Sequence, residues 1–379
     1  MGETLTGFEY GLNTPATDYD GINKYLRITD IDDVSHKFDI SHLTSPKLKD
    51  DNYLLANGDI LFARTGASVG KSYRYSNIDG KVYYAGFLIK AHIKDHFSTN
   101  FIFDTTLLPR YHYFVQVTSM RSGQPGINAK EYQKYIIYTP SENEQNKISD
   151  LILTIQKLID LQQRKLEQLK QLKKALLQQL FVEKNSKHPI LRFKNFNGDW
   201  EERKLSDIAN YRNGKAHEQY IDMNGIYTVV NSKFISTNGK VKKFSNEPIE
   251  LLKKGEIAFV LSDVPNGKAL AKAYLIDSDN KYSLNQRIAG ISPSSDINSY
   301  FLYVLMNRNR YFLKFDDGVG QTNLSKKDIE EFKENYPLFD EQQKIANLFS
   351  QIQALISLQQ NKHTQLIALK KYLLQKLFI

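Results

Sequence analysis

The chain has 379 residues, enough for two or three domains, and 41% of them are hydrophobic and 12% aromatic, which excludes a disordered chain. It has no cysteine, so disulfides, thiolate metal sites and cysteine nucleophiles are excluded. The net charge of +9, from 51 basic and 42 acidic side chains, suits a nucleic-acid partner, but the surplus is confined: residues 1–143 carry 15 basic and 16 acidic side chains, residues 199–340 carry 20 of each, and the excess lies in 144–198 and 341–379. A basic face on the larger segments must therefore come from placement. No apolar run reaches the roughly 18 residues of a membrane span. The opening MGETLTGFEYG lacks the basic start and apolar stretch of a signal peptide. The expectation is a soluble, cytoplasmic protein without membrane association.

In chain order, residues 1–143 read as a mixed α/β segment with a strong strand component, clearest in the β-branched and aromatic run 81–93. Glu144–Phe181 carries apolar residues at Ile148, Ile152, Ile155, Ile159, Leu166, Leu169, Leu176 and Leu180, alternating four and three apart, as in a coiled-coil seam. Without Gly or Pro, such a helix runs on the order of 55–60 Å. Ser141 with Glu144 forms an expected capping box. Residues 183–198, EKNSKHPILRFKNFNG, read as a linker punctuated by Pro189. Residues 199–340 form a second mixed segment, with strands at 226–230 and 256–261 and a helix at 301–313. A second long helix follows at 341–379, with Asp340 as its expected cap and Ile345, Phe349, Ile352, Ile356, Leu366, Leu373 and Leu377 as its seam.

The chain repeats itself. Shifted by 197 residues, Glu144–Phe181 falls on Glu341–Phe378 without a gap, with 23 of 38 positions identical. The same shift places Gly58-Asp59-Ile60 on Gly255-Glu256-Ile257, Gly70-Lys71 on Gly267-Lys268, Gly123-Gln124 on Gly320-Gln321, and Pro140 on Pro337. Gln162 and Gln359 share one seam position, where a polar residue either fixes register or marks a local offset. Between the anchors the copies differ almost completely.

Catalytic motifs are weak. Gly66 to Lys71 is one residue short of a phosphate-binding P-loop. His92 and His96 stand four apart in strand-like context. Glu331-Phe332-Lys333, with Asp316 and Asp317 upstream, is only the tail of a nuclease pattern, and no Pro-Pro pair exists to build an amino-methylation motif. Gly66-Ala67-Ser68-Val69-Gly70 matches the letters of a hydrolase elbow, but no helix or acid–histidine series follows. A stand-alone hydrolase using Ser68, or a non-catalytic coiled-coil scaffold, are the alternatives to the reading below.

This plan resembles the DNA-specificity (S) subunit of type I restriction-modification systems. The resemblance rests on Trp200-Glu201 with Leu205-Ser206-Asp207-Ile208, the Gly-Asp/Glu-Ile and Gly-Gln motifs, and Pro followed by Glu-Gln-x-Lys-Ile opening each long helix. It implies an α+β fold with a pseudo-two-fold internal repeat: two mixed α/β target recognition domains separated by two long antiparallel coiled-coil helices. It implies a non-catalytic subunit that reads a bipartite target in double-stranded DNA and directs adenine methylation and restriction by partners. Methyltransferase (M) subunits would carry S-adenosylmethionine, and restriction (R) subunits would use ATP and Mg; no cofactor is expected in this chain. Trp200–Ile208 has no counterpart before the first segment, where Gly7 aligns near Gly214, so the first domain is expected to be short at its N-terminus.

Base reading needs side chains that present paired donors or acceptors. The loops after the mid-segment strands and around Gly-Gln supply Arg64, Lys71, Arg74, Arg121 and Gln124 in the first copy, and Lys268, Lys272, Arg287, Gln321 and Asn323 in the second. Lys71 and Lys268, beside glycines, are the expected phosphate ligands. Leu172, Leu177, Leu369 and Leu374 lie beyond one seam and are the expected docking residues for methyltransferase subunits.

Overall fold

The computed structural model describes residues 1–33, 35–120, 123–182, 186–265 and 267–378. They divide into two compact units: Met1–Gln163 with Asn361–Ile379, and Arg164–Gln360. Each long helix therefore gives one half to each unit.

The first unit is built on an antiparallel sheet in the order Leu5–Tyr10, Leu88–Ile93, Asp59–Ala63, Ser72–Arg74. The second repeats it with Ala209–Asn213, Ile288–Pro293, Ile257–Val260, Ala273–Leu275. The central strands, DILFA and IAFV, are buried along their whole length. Side chains alternate across a strand, so a fully apolar run needs cover on both faces. Ile60 and Phe62 face a cluster shared with Phe101, Tyr111 and the long helices, while Leu61 and Ala63 face another with Leu26, Val82 and Tyr84. Ile257 and Phe259 against Ala258 and Val260 do the same in the second unit. The run at 81–93 divides into strands Val82–Tyr84 and Leu88–Ile93 around a turn. The helix expected at 301–313 breaks into Ser299–Met306 and Arg310–Leu313, where Arg308 turns to φ +58°.

The long helices span Glu142–Leu180 and Phe339–Leu377. Asp340 lies inside the first turn of the second helix instead of capping it. Seam residues Ile148, Ile152, Ile155, Ile159 and Leu166 are buried, as are Ile345, Phe349 and Ile352. In the first unit Ile148 and Ile152 share a core with Leu374 and Phe378, and Lys370 donates to Gln156 Oε1 at 2.8 Å. In the second, Leu180 shares a core with Ile345 and Phe349, and Lys173 donates to Gln353 Oε1, also at 2.8 Å. In both, one helix ascends as the other descends, so the halves pair antiparallel, and the two lysine–glutamine bonds are related by the 197-residue repeat.

The repeat motifs have structural work. Gln145 is buried; it donates to the Pro140 carbonyl (2.9 Å) and accepts from the Ser98 amide (3.1 Å). Gln342 makes the same pair of bonds, with Pro337 O (2.9 Å) and the Asn298 amide (2.9 Å). The Glu-Gln-x-Lys-Ile motif thus fastens each helix start to its unit. Asp59 is buried, accepts from the Ala56 amide and meets His92 Nδ1 at 2.7 Å. Glu256 accepts from the Lys253 amide, Ser292 and the Arg212 guanidinium (Nη2–Oε2 2.7 Å). Burial works to raise the Glu256 pKa, but these donors outweigh it and hold the carboxyl below its ordinary value.

Two expected alignments shift. Gly11, not Gly7, is the counterpart of Gly214. Both donate to the start of the neighbouring strand (Leu88 O 3.1 Å; Ile288 O 3.0 Å), and a Cβ at either would lie 2.0–2.2 Å from a carbonyl oxygen, of Ala85 or Asn285. Gly7, at φ +90°, sits instead at a bulge between Thr6 and Glu9. In the second unit Glu201–Lys204 pairs antiparallel with Lys333–Tyr336, and the Leu205 amide donates to Phe332 O. In the first unit the Met1 amino group donates to Tyr135 O, so Met1 stands where Leu205 stands.

Candidate nucleic-acid interface

In each unit three loops meet at one end of the central sheet. The chain leaving Asp59–Ala63 pairs its Arg64 amide with Phe87 O (3.0 Å), bridges Thr65 to Gly126, and bonds the Gly66 amide to Pro125 O (3.0 Å). The chain leaving Ile257–Val260 pairs the Leu261 amide with Arg287 O (3.0 Å) and Ser262 with Asn323. Gln321 donates to Ser262 Oγ at 2.7 Å, and a Cβ on Gly66 would lie 3.0 Å from Gln124 Nε2. The two Gly-Gln loops therefore lie against the two mid-unit strand exits. The structure brings together Arg64 with Gln124 in one unit, and Arg287, Gln321 and Asn323 in the other.

Arg64 stacks its guanidinium over Tyr10, 4.7 Å from the ring centroid. The pair edges a cavity of about 720 Å³ lined also by Asn13, Arg27, Thr29 and Phe87. Arg27 is held by Asp30 through two bonds of 2.8 Å, which raises the pKa of the arginine and fixes its fork. Phe87 is 59% exposed at the rim. Arg287 is exposed and holds φ +64°, a conformation uncommon for a residue with a side chain.

Other candidates are placed elsewhere. Arg121 lies outside the described residues. Lys71 reaches the Ile31 carbonyl (3.3 Å) and ion-pairs with Asp33 at 2.5 Å, with its side chain 20% exposed. Its counterpart is Lys272, whose Nζ reaches the Ser236 carbonyl at 3.3 Å; Ala63 and Val260 donate to the carbonyls of Lys71 and Lys272 respectively. In this structure both lysines reach a main-chain carbonyl of another loop, and Lys71 is in addition paired with Asp33. Lys268 is exposed in a different loop, organised by Asp263, which accepts from the amides of Val264, Ala269 and Leu270. Gly267 is needed there, because a Cβ would lie 2.1 Å from the Asp263 carboxylate.

Arg74 faces inward, 5.7 Å over the Phe103 ring, and burial lowers its pKa against the pull of Asp104. It lies in a partly buried charge cluster with Asp104 and Lys370, away from the loops around Arg64. Asp104 is pushed up to about 7, by burial first, with Lys370 and Arg74 opposing. Of the docking leucines, Leu172 and Leu369 are 48% and 43% exposed. Leu374 is buried at the edge of the first unit's core, and Leu177 is partly buried against the second's. Exposed apolar residues that the seam reading passed over stand at Leu158, Leu161, Leu355 and Leu358, again in pairs 197 apart.

The decoys dissolve. No cluster of three metal-ligating side chains occurs among the described residues. His92 serves Asp59, and His96 lies 3.5 Å from Glu142 at the surface. Glu331 and Lys333 pair with Lys204 and Glu202. No histidine or carboxylate bonds to the Ser68 side chain among the described residues. No described helix is long and apolar enough to cross a membrane.

The profile of the type I restriction modification DNA specificity domain matches residues 13–171 and again 197–368. The type I restriction enzyme MjaVIII specificity subunit of Methanocaldococcus jannaschii is 24% identical over 282 residues, 70% of this chain and just under two thirds, 66%, of that protein. The solved S subunit of a type I restriction-modification system from M. genitalium superposes with a TM-score of 0.67 at 15% identity, covering all of this chain and 94% of that one. A chain from a type I R-M system, solved to explain its complex assembly and conformational transition, gives 0.56 at 14% identity, covering 100% and 96%.

Proposed function

Because this chain belongs to the type I restriction modification DNA specificity family, we propose that it is the subunit that reads a bipartite target in double-stranded DNA, one half-site per unit. The observation that carries this reading is the pair of loop clusters. Their backbone bonds recur in both units, at Arg64–Phe87 and Leu261–Arg287, while the side chains they present differ. Two half-sites of different sequence need one scaffold and two reading surfaces. Arg64 and Gln124 serve the first half-site, and Arg287, Gln321 and Asn323 the second; Lys268 is a phosphate ligand.

Adenine methylation and restriction are the work of partner subunits: methyltransferases with S-adenosylmethionine, and restriction subunits with ATP and Mg. This chain is non-catalytic and acts in the cytoplasm. The methyltransferases dock on the exposed leucines that recur on the two long helices, one per unit: Leu158, Leu161 and Leu369 in the first, and Leu355, Leu358 and Leu172 in the second. Exchanging residues 1–143 for the corresponding domain of a relative, followed by mapping of methylated sites, tests the reading. One half of the target should change and the other persist. A chimera in which both halves change together overturns it.

A further inference from the structure

The two reading surfaces differ in a patterned way. In each unit, the first residue past the central strand and the hairpin residue before the neighbouring strand are joined by one backbone hydrogen bond of 3.0 Å. In the first unit this pair is Arg64 and Phe87; in the second it is Leu261 and Arg287. Each pair holds one guanidinium and one apolar side chain, on opposite strands. The second arginine stays at φ +64° although nothing in the local turn demands a long cationic side chain there. An exposed residue in a costly backbone conformation signals a functional constraint.

We propose that this cross-strand pair is the specificity-determining centre of each unit, and that its arginine reads a guanine in each half-site. The inference rests on the DNA-reading assignment above and names the base class that the same surfaces select. The chemistry follows from the groups present. A guanidinium matches guanine O6 and N7 with two parallel N–H donors, and an apolar side chain beside it has no donor to offer. In the first unit, the Arg64 guanidinium rests over the Tyr10 ring, 4.7 Å from its centroid, which restrains the side chain, and Gln124 stands beside Gly66 on the adjoining loop. Phe87, more than half exposed at the cavity rim, contacts the flanking pair through its ring, as an apolar group meets a thymine methyl. In the second unit, Leu261 is buried, so the arginine comes from the hairpin, with Gln321 held by Ser262 on the adjoining loop. Because the guanidinium stands on opposite strands of the pair, the guanine holds a different place in each half-site.

The test is selection of bound duplexes from a random double-stranded library, using the full chain co-expressed with its methyltransferase. The wild type should return a split consensus with a guanine on each side. Arg64→Lys and Arg287→Lys keep the charge and remove the fork. Each should lose roughly 10- to 100-fold of its preference for guanine at one position in its own half-site, with the salt dependence of binding unchanged. Arg287→Gly, which suits the backbone at φ +64°, should fold normally and lose the same preference. Phe87→Leu should weaken the preference at the neighbouring position only. If either lysine variant keeps its guanine, or if Arg64→Gln and Arg287→Gln weaken all sequences equally with a shallower salt slope, the arginines hold phosphates and the inference fails. A wild type that selects no consensus overturns the DNA-reading assignment itself.

Discussion

The two units hold the same frame with opposite interiors. Where the first has Asp104, Arg74 and Lys370 under cover, the second puts Val304 and Leu275 at the positions equivalent to the first two, and surrounds Lys173 with no buried carboxylate. Where Glu256 in the second unit ion-pairs with Arg212 of the outer strand, its counterpart Asp59 in the first meets His92 of the neighbouring interior strand instead. The lesson is that the repeat preserves main-chain contacts and lets side-chain chemistry drift, so equivalent substitutions should have unequal costs.

The largest inequality is expected at the buried carboxylates. Glu256→Ala removes the acceptor shared by the Lys253 amide, Ser292 and Arg212, leaves the half-buried Arg212 with Glu250 as its carboxylate partner, and should cost the second unit about 2–4 kcal/mol. Asp59→Ala removes a hydrogen-bonded turn and one histidine contact and should cost the first about 1–3 kcal/mol. Urea denaturation followed with unit-specific probes measures both; equal losses would break the comparison.

The next effect is on pH. Folded Asp104 keeps its proton up to about pH 7, whereas unfolded it ionises near about 4. The stability it lends is fully present below about pH 4 and is lost as pH rises to about 7, on the order of a few kcal/mol. The groups that bear on it are Arg74 and Lys370, and Lys370 in turn feels Asp160 and Lys37. Asp104→Asn should flatten that slope in the first unit alone, as read by thermal melts from pH 4 to 8.

A smaller effect concerns one glycine. Gly70, at φ +85°, has no room for a Cβ, which would lie 2.4 Å from Val115; its counterpart is Ala271, at φ +57°. Gly70→Ala should cost about 2–3 kcal/mol, whereas Ala271→Gly should stay within about 1 kcal/mol. The smallest effect is at the helix lysines. Lys173→Met should change stability by less than about 1 kcal/mol, because burial already disfavours that ammonium. Lys370→Met should destabilise further only above about pH 7, where Asp104 is charged; denaturation at pH 6 and pH 8 separates the two.

The helices were legible because a seam needs only periodicity, and the central strands because full burial writes a continuous apolar run. The Gly-Lys anchor misled. A fixed shift of 197 pairs Lys71 with Lys268, but the second unit carries four extra loop residues after Val260, so the true partner is Lys272. Gly11 was missed because the first strand does not follow the 197-residue shift: Gly11 and Gly214 lie 203 apart, and no short motif marks the offset. The convergence of Arg64 with Phe87, and of Leu261 with Arg287, needed sheet register, which no short motif encodes. No local pattern singles out Asp104, because its cover comes from elements distant in sequence, the second long helix among them.

Gln145 and Gln342 bind main-chain groups alone: the carbonyls of Pro140, Pro337 and Asp296 and the amides of Ser98 and Asn298, which almost any sequence would present at those places. A fastening of that kind does not inspect the side chains of what it fastens. Chains that exchange a whole globular segment ahead of either helix, where the two repeats share 23 of 38 positions, should therefore still fasten and fold.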